Sequence, residues 1–139
     1  MALDAGDLIA LQRATHALIL ALDAELRDLG LSASETNLLA CLRPAAPRRI
    51  GEILADTGQR PSTVTGILDR LERRGLVERL LDPGDRRSFR AGLTGDGAAL
   101  HARVMRGYDR VAASVGGSRG VAEFRALLEA IEQTPRISP

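Results

Sequence analysis

At 139 residues and 45% hydrophobic content, the chain is long enough to build one core and too short for a second independent domain. Its aromatic residues are Phe89, Phe124 and Tyr108, with no Trp, which argues against a stacking platform for single-stranded nucleic acid. The net charge of +1 hides an uneven distribution, because residues 1–42 carry −4, residues 43–90 carry +4 and residues 91–139 carry +1.

In chain order, Leu8, Leu11, Thr15, Leu18, Leu22, Leu26 and Leu29 fall along one stripe of a long N-terminal helix that Gly30 ends. Ile9, Ile19 and Leu20 lie outside that stripe, so one apolar face cannot hide them all. Ser32, three residues before Glu35, is placed as a capping box for a helix from Ser32 to Leu42 that Pro44 and Pro47 close. The next helix starts near Arg49 or Ile50 without a Ser, Thr, Asp or Asn cap, and Arg60 likewise stands where such a cap is expected. Pro61 then opens a helix at a position where its missing N–H costs nothing, and Val64, Ile67, Leu68 and Leu71 recur on one face. The other face is small and polar, with Ser62, Thr63, Thr65, Gly66, Asp69, Arg70 and Arg73, until Gly75 stops the helix.

Leu76 to Leu81 reads as a strand, Asp82-Pro83-Gly84-Asp85 as a turn, and Ser88 to Leu93 as the returning strand with Phe89, Ala91 and Leu93 alternating. Arg86 and Arg87 are expected at the hairpin tip, where a guanidinium on a narrow loop suits the minor groove of DNA. Gly95 to Val115 forms a further helix with Leu100, Val104, Tyr108, Val111 and Val115 on one face. After the break at residues 116–120, Val121, Phe124, Leu127, Leu128 and Ile131 mark a last amphipathic helix. The fold expected is therefore mainly α with a small β-hairpin wing, a winged helix-turn-helix flanked by helices from both chain ends that need a partner surface.

The stretches PSTVTGILDRLERRGLVER, DPGDRRS and LTGDGAAL, in that order between about Gly51 and Leu100, resemble the signature region of MarR-type transcriptional regulators. The flanking helices match that family by length and periodicity alone. The resemblance implies a single MarR-like domain over 1–139, with dimerisation helices at 1–30 and 95–139 around a DNA-binding lobe at 31–94. It implies a homodimer, two recognition helices about 34 Å apart on a palindromic operator in double-stranded DNA, and repression relieved by a small anionic phenolic or lipophilic effector. It also makes Asp85 a wing aspartate that pairs with a nearby Arg, with Arg86 and Arg87 contacting groove and backbone. The effector-binding residues stay unassigned.

The candidate DNA contacts are Arg60, Ser62, Thr63, Thr65, Gly66, Arg70, Arg73, Asp85, Arg86 and Arg87. Hydroxyls near a helix N-terminus can meet bases or phosphates, and Gly66 permits close backbone approach. Each has a plainer alternative: Thr65 bonding a carbonyl one turn back, Arg70 and Arg73 pairing with Asp69 and Glu72, Asp85 as a turn residue, and Arg60 as a solvated charge. All nineteen basic residues are Arg, which suits bidentate contacts and equally follows from genomic base composition.

Cys41 stands alone, so it forms no intrachain disulfide and is expected in the core rather than as a redox sensor. Peroxide-sensing relatives place a reactive Cys in the first helix beside tyrosines, which this chain lacks. His16 and His101 have no second ligand at metal spacing, so no metal or cofactor is expected; a shared site across a dimer is the alternative. No apolar run reaches the ~18 residues of a membrane span and no secretory leader is evident, so the expected compartment is the cytoplasm. The sequence offers no nucleophile–base pair or phosphate-binding loop, so no enzyme is expected. A winged-helix module that binds protein instead of DNA is the competing reading.

Overall fold

The computed structural model describes residues 2–116 and 121–134. The first helix, α1, spans Ala5–Leu26, and it starts where Asp4 and Asp7 bond each other's backbone N–H at 2.9 and 3.0 Å, a reciprocal cap. A short 3-10 turn, Arg27–Leu29, carries the chain to Gly30, whose φ of 66° lets it reverse there without the strain a side chain would bring.

Helix α2, Ala33–Cys41, is capped by the Ser32 hydroxyl, which accepts from the Glu35 N–H at 3.1 Å. The capping box expected here is only half formed. Glu35 instead turns its carboxylate to Arg70 at 3.3 Å and Arg74 at 3.6 Å, tying α2 to the later helix. A two-residue strand, β1 (Arg48–Arg49), leads into α3 (Ile50–Thr57), which ends at Gly58 with φ 64°. Arg48 is half-buried and donates at 2.6 Å both to the Cys41 carbonyl and to Asp56, fastening the end of α2 to α3.

Helix α4, Pro61–Arg73, begins with its Pro in the first turn and without a side-chain cap at Arg60, as the sequence indicates. Its apolar face is fully inserted: Val64, Ile67 and Leu71 are 0% exposed and Leu68 2%. They meet Leu38, Leu39 and Leu42 of α2, Ile53 of α3, and Leu76, Val77 and Ala91 of the sheet in one core. Burying such side chains stabilises the fold by roughly 1.5–3 kcal/mol each before chain entropy is counted.

The sheet is antiparallel with order β1-β3-β2, where β2 is Val77–Asp82 and β3 is Asp85–Leu93. Two differences from the sequence reading stand out. β1 has too few residues to show a period, and β3 begins at Asp85, so Arg86 and Arg87 lie within a strand rather than on the turn. The expected alternation also fades along the hairpin, with Ala91 buried, Leu93 half-buried and Phe89 exposed, because the hairpin outruns the core.

Helix α5, Gly95–Val115, is capped by Thr94, whose hydroxyl accepts from the Gly97 N–H at 3.0 Å and donates to the Gly75 carbonyl at 2.6 Å. Gly97 is buried against the backbone of Leu76, where a Cβ would overlap the Leu76 carbonyl oxygen. Gly107 presses on the Leu26 side chain in the same way, so α5 crosses close over the C-terminal end of α1. There Leu26, Leu29 and Val104 form a second small core, flanked by the ion pairs Arg103–Asp28 at 3.2 Å and Arg110–Glu25. Helix α6 spans Val121–Glu132, and residues 117–120 of the expected break before it lie outside the described residues.

Among the described residues most of α1 finds no cover. Of its expected stripe, Leu26 and Leu29 are buried, Leu11 and Leu22 are half-buried, and Leu8, Thr15 and Leu18 are exposed, as are Ile9, Ile19 and Leu20 outside it. Phe124 on α6 is exposed as well.

Candidate DNA interface and adjoining hollow

Because the apolar face of α4 is sunk in the core, its opposite face is presented outward by geometry. Ser62, Thr63 and Thr65 are exposed there, and Arg60 is exposed at the helix start. Among the described residues none of the three hydroxyls bonds to protein, so Thr65 does not take the carbonyl one turn back; Thr57 does so instead, to Ile53 at 2.8 Å. Gly66 is not demanded by packing within the chain, since an added Cβ would meet only the Arg70 guanidinium, at 3.7 Å. The first two turns of α4 thus offer unengaged donors beside a low backbone.

The lower part of α4 differs from expectation. Arg70 pairs with Glu35, not with a neighbour on its own helix, and Arg73 donates to the Asp69 carbonyl at 3.3 Å. The Asp69 and Glu72 carboxylates are both taken by Arg79 of β2, at 2.6 and 2.5 Å. Arg79 was not singled out by the sequence, because its partners lie on another element.

The wing departs from a regular hairpin. From Val77↔Leu93 to Leu81↔Phe89 the register is even, and then Asp82 pairs with Asp85, which leaves Arg86, Arg87 and Ser88 unmatched on the β3 side. Asp85 holds this bulge, accepting from the Arg87 N–H at 2.9 Å and from the Ser88 hydroxyl at 3.1 Å. Among the described residues Asp85 pairs with no Arg, contrary to the expectation. Asp82 has that role, buried at 4% exposure, with Arg49 at 3.0 Å, Arg90 at 3.3 Å and the Gly84 N–H at 3.0 Å. The Gly84 N–H, followed by the charges of Arg49 and Arg90, holds the Asp82 carboxyl below its ordinary value of 3.8. Arg86 and Arg87 remain exposed on the bulge that these two acids shape.

Behind the recognition helix, α1, α2, α5 and the turn between α3 and α4 border an open hollow of about 360 Å³. Leu18, Ile19, Leu22 and Leu26 give it an apolar wall, and Asn37, Gln59 and Tyr108 are among its polar groups. Burial pushes the Tyr108 phenol up, and nearby Cys41 adds to this. Cys41 is half-buried, and burial together with Asp56 outweighs Arg48 and raises its thiol pKa. The thiol lies outside both buried clusters, at the edge of the core rather than within it as expected. No sequence signal could have assembled this hollow, since its walls come from four separated segments. Among the described residues no cluster of His, Cys, Asp and Glu is suited to a metal, and no helix is long and apolar enough to cross a membrane.

A helix-turn-helix with an outward-facing second helix and an arginine-bearing wing defines a winged helix-turn-helix protein of the DNA-binding class. Comparison with known proteins narrows this. Residues 31–89 match the model of the MarR family. PecS of Dickeya dadantii, an HTH-type transcriptional regulator, is 37% identical over 119 residues, covering 81% of this chain and 72% of PecS. The chain therefore belongs to the MarR family of transcriptional regulators. NicR of Pseudomonas putida, an HTH-type transcriptional repressor, is 38% identical over 73 residues, 52% of this chain, and that match spans 46% of NicR. Among solved structures, BpsR of Bordetella bronchiseptica, whose DNA binding is regulated by 6-hydroxynicotinic acid, superposes with a TM-score of 0.75 at 27% identity, covering 95% of each chain.

Proposed function

We propose that the chain acts in the cytoplasm as a homodimeric repressor that occludes a palindromic promoter site and leaves it when a small molecule fills the hollow behind α4. The observation that carries this reading is the unengaged outer face of α4. Ser62, Thr63, Thr65 and Gly66 line up at the N-terminal end of a helix whose other side is fully buried. In a major groove they meet base edges, Arg60 and Arg73 flank them toward phosphates, and Arg70 stays tied to Glu35. Arg86 and Arg87, held out on the bulge by Asp85, suit the neighbouring minor groove.

What supports dimerisation is the number of apolar residues that α1 and α6 leave bare, since exposed apolar surface beyond scattered single residues marks an interaction site. In that arrangement residues 1–30 and 95–139 join two copies, and residues 31–94 form the lobe that reads DNA. The protein works by binding alone. An effector seated between α1, α2 and α5 favours a spacing of the two lobes that no longer fits the operator, and by linkage it lowers DNA affinity, typically by ~1–3 kcal/mol of coupling.

The test is fluorescence anisotropy with the DNA upstream of the protein's own gene against a scrambled duplex, at several salt concentrations. Preference for the native sequence with a steep salt slope is expected, and Arg86→Ala with Arg87→Ala should weaken binding and lower that slope by roughly one for each phosphate no longer neutralised. Equal, weak binding to both duplexes would favour the second reading, a protein-binding winged helix, for which the exposed cross-strand pair Leu81 and Phe89 on the wing offers a surface.

A further inference from the structure

The antiparallel register fixes which way each residue of the wing faces. Along β2 and β3 the cross-strand pairs Val77↔Leu93, Arg79↔Ala91 and Leu81↔Phe89 share one face, because successive residues of a strand alternate sides. Val77 and Ala91 set that face against the core, and Arg79 reaches from it to Asp69 and Glu72 of α4. It is therefore the face turned toward the helices. Leu81 and Phe89, one pair further out, have outrun the core and stand 63% and 46% exposed. Two large apolar side chains directly opposite each other form a patch, which scattered single residues do not. Beyond the pair comes the bulge that carries Arg86 and Arg87. Phe89 also lines an open cleft of about 570 Å³ between the wing and the start of α3, together with Arg49, Arg87 and Ser88. Glu52, the acid on the α3 side of that cleft, is paired with Arg48 at 3.7 Å.

With α4 in a major groove and Arg86 and Arg87 at the neighbouring minor groove, one sugar–phosphate strand passes between them, along the helix-facing side of the wing. We propose that Leu81 and Phe89 pack against the deoxyribose rings of that strand, as an apolar part of the DNA interface between the two groove contacts. The proposal rests on the reading of α4 and the bulge as the surfaces that meet DNA. Between its phosphates the strand presents C–H edges of sugar, so an apolar patch with an arginine beside it matches the strand in both respects. Arg87 answers the charge, and Leu81 and Phe89 answer the sugars. Continuity with the contacts on either side favours DNA over a protein partner as the occupant.

Salt dependence separates an apolar contact from a charged one. Leu81→Gln with Phe89→Gln is titrated, in the full-length protein, against the duplex upstream of the protein's own gene and a scrambled duplex at several salt concentrations. Affinity for the native duplex is expected to fall roughly ten-fold, as half-exposed apolar side chains are no longer covered. The salt slope should stay as in the parent, because no phosphate contact is lost. Leu81→Met with Phe89→Met keeps the apolar surface and should bind as the parent does. The melting curve of each variant is checked first, and Leu81→Gln alone, at the more exposed position, gives a smaller loss of the same kind should the double variant misfold. Unchanged affinity in the Gln variants would overturn the proposal and leave the patch to a protein partner. A loss accompanied by a falling slope would overturn it as well, since the substitutions would then act by displacing Arg86 and Arg87. A Gln variant that turns monomeric in sedimentation velocity would overturn it by placing the pair between subunits. A parent that binds both duplexes weakly and alike would overturn the DNA reading itself, and the proposal with it.

Discussion

The lobe around α4 and the helices at the two chain ends carry the same kind of helical apolar pattern with opposite outcomes. On α4 the patterned residues Val64, Ile67 and Leu71 are 0% exposed, whereas Leu8 and Leu18 of the α1 stripe are 49% and 46% exposed. The lobe closes its core with its own α2, α3 and sheet. Among the described residues the arms bury little beyond the end of α1, where Leu26 and Leu29 meet Val104 of α5, and Val111 further along α5. Periodicity thus reports that a face seeks cover and is silent on which chain provides it.

The largest effect expected from breaking this contrast is inside the lobe. Leu71→Ala removes a fully buried side chain from the middle of the core and should cost about 2–5 kcal/mol in urea unfolding, since the close-packed surroundings collapse only in part. A much smaller loss would mean that the lobe core is loosely packed. On the arms the outcome should be of another kind. Ile9→Asp with Leu20→Asp should shift the protein from dimer to monomer in sedimentation velocity at micromolar concentration, with the lobe still folded by circular dichroism. A dimer that persists in that double variant removes the upper half of α1 from the interface.

A smaller effect sits at the wing. Because the folded Asp82 carboxyl is held below 3.8, its contribution to stability is complete above that value and is lost as the pH falls through the lower, folded value. Asp82→Asn should therefore be less stable than the parent at neutral pH, with the difference shrinking below about pH 4. Equal melting temperatures at neutral pH would show that Arg49 and Arg90 hold the wing without the acid. The same variant should lower DNA affinity, because the bulge bearing Arg86 and Arg87 follows directly on the pairing of Asp82 with Asp85 and takes its register from it.

What the sequence made legible was what is local. Pro61 and Gly75 bracket α4, the buried face of α4 is predicted residue by residue, and α5 runs from Gly95 to Val115 as its pattern indicates. What escaped depends on residues brought together from afar. β1 has two residues and no period, and it exists because Arg48 and Arg49 pair with Ala91 and Arg90. Glu35 looks like half of a capping box until Arg70 and Arg74 arrive beside it. Asp82 looks like a turn residue, whereas its burial between Arg49 and Arg90 needs the whole sheet. Of the candidate contacts, the hydroxyl face of α4 was legible for the same reason as its core face, and the setting of Arg86 and Arg87 was not, because a register break has no signature in composition.

The smallest effect expected is also the most discriminating, and it lies at Arg60. This residue takes the N-cap position of α4 and makes no side-chain bond to the orphan N–H groups there, which a Ser would satisfy. On stability alone Arg60→Ser should therefore be a gain, of about 0.5–1 kcal/mol in urea unfolding. On DNA it should be a loss, with the salt slope falling by roughly one, if the exposed guanidinium meets a phosphate beside the hydroxyl face. The opposite signs are the point: a lobe that keeps an uncapped recognition helix in exchange for a cation is one shaped by its partner, as the homodimer reading takes the bare face of α1 to be. A gain in stability with unchanged DNA affinity would reduce Arg60 to a solvated charge and leave the contrast between lobe and arms to packing alone.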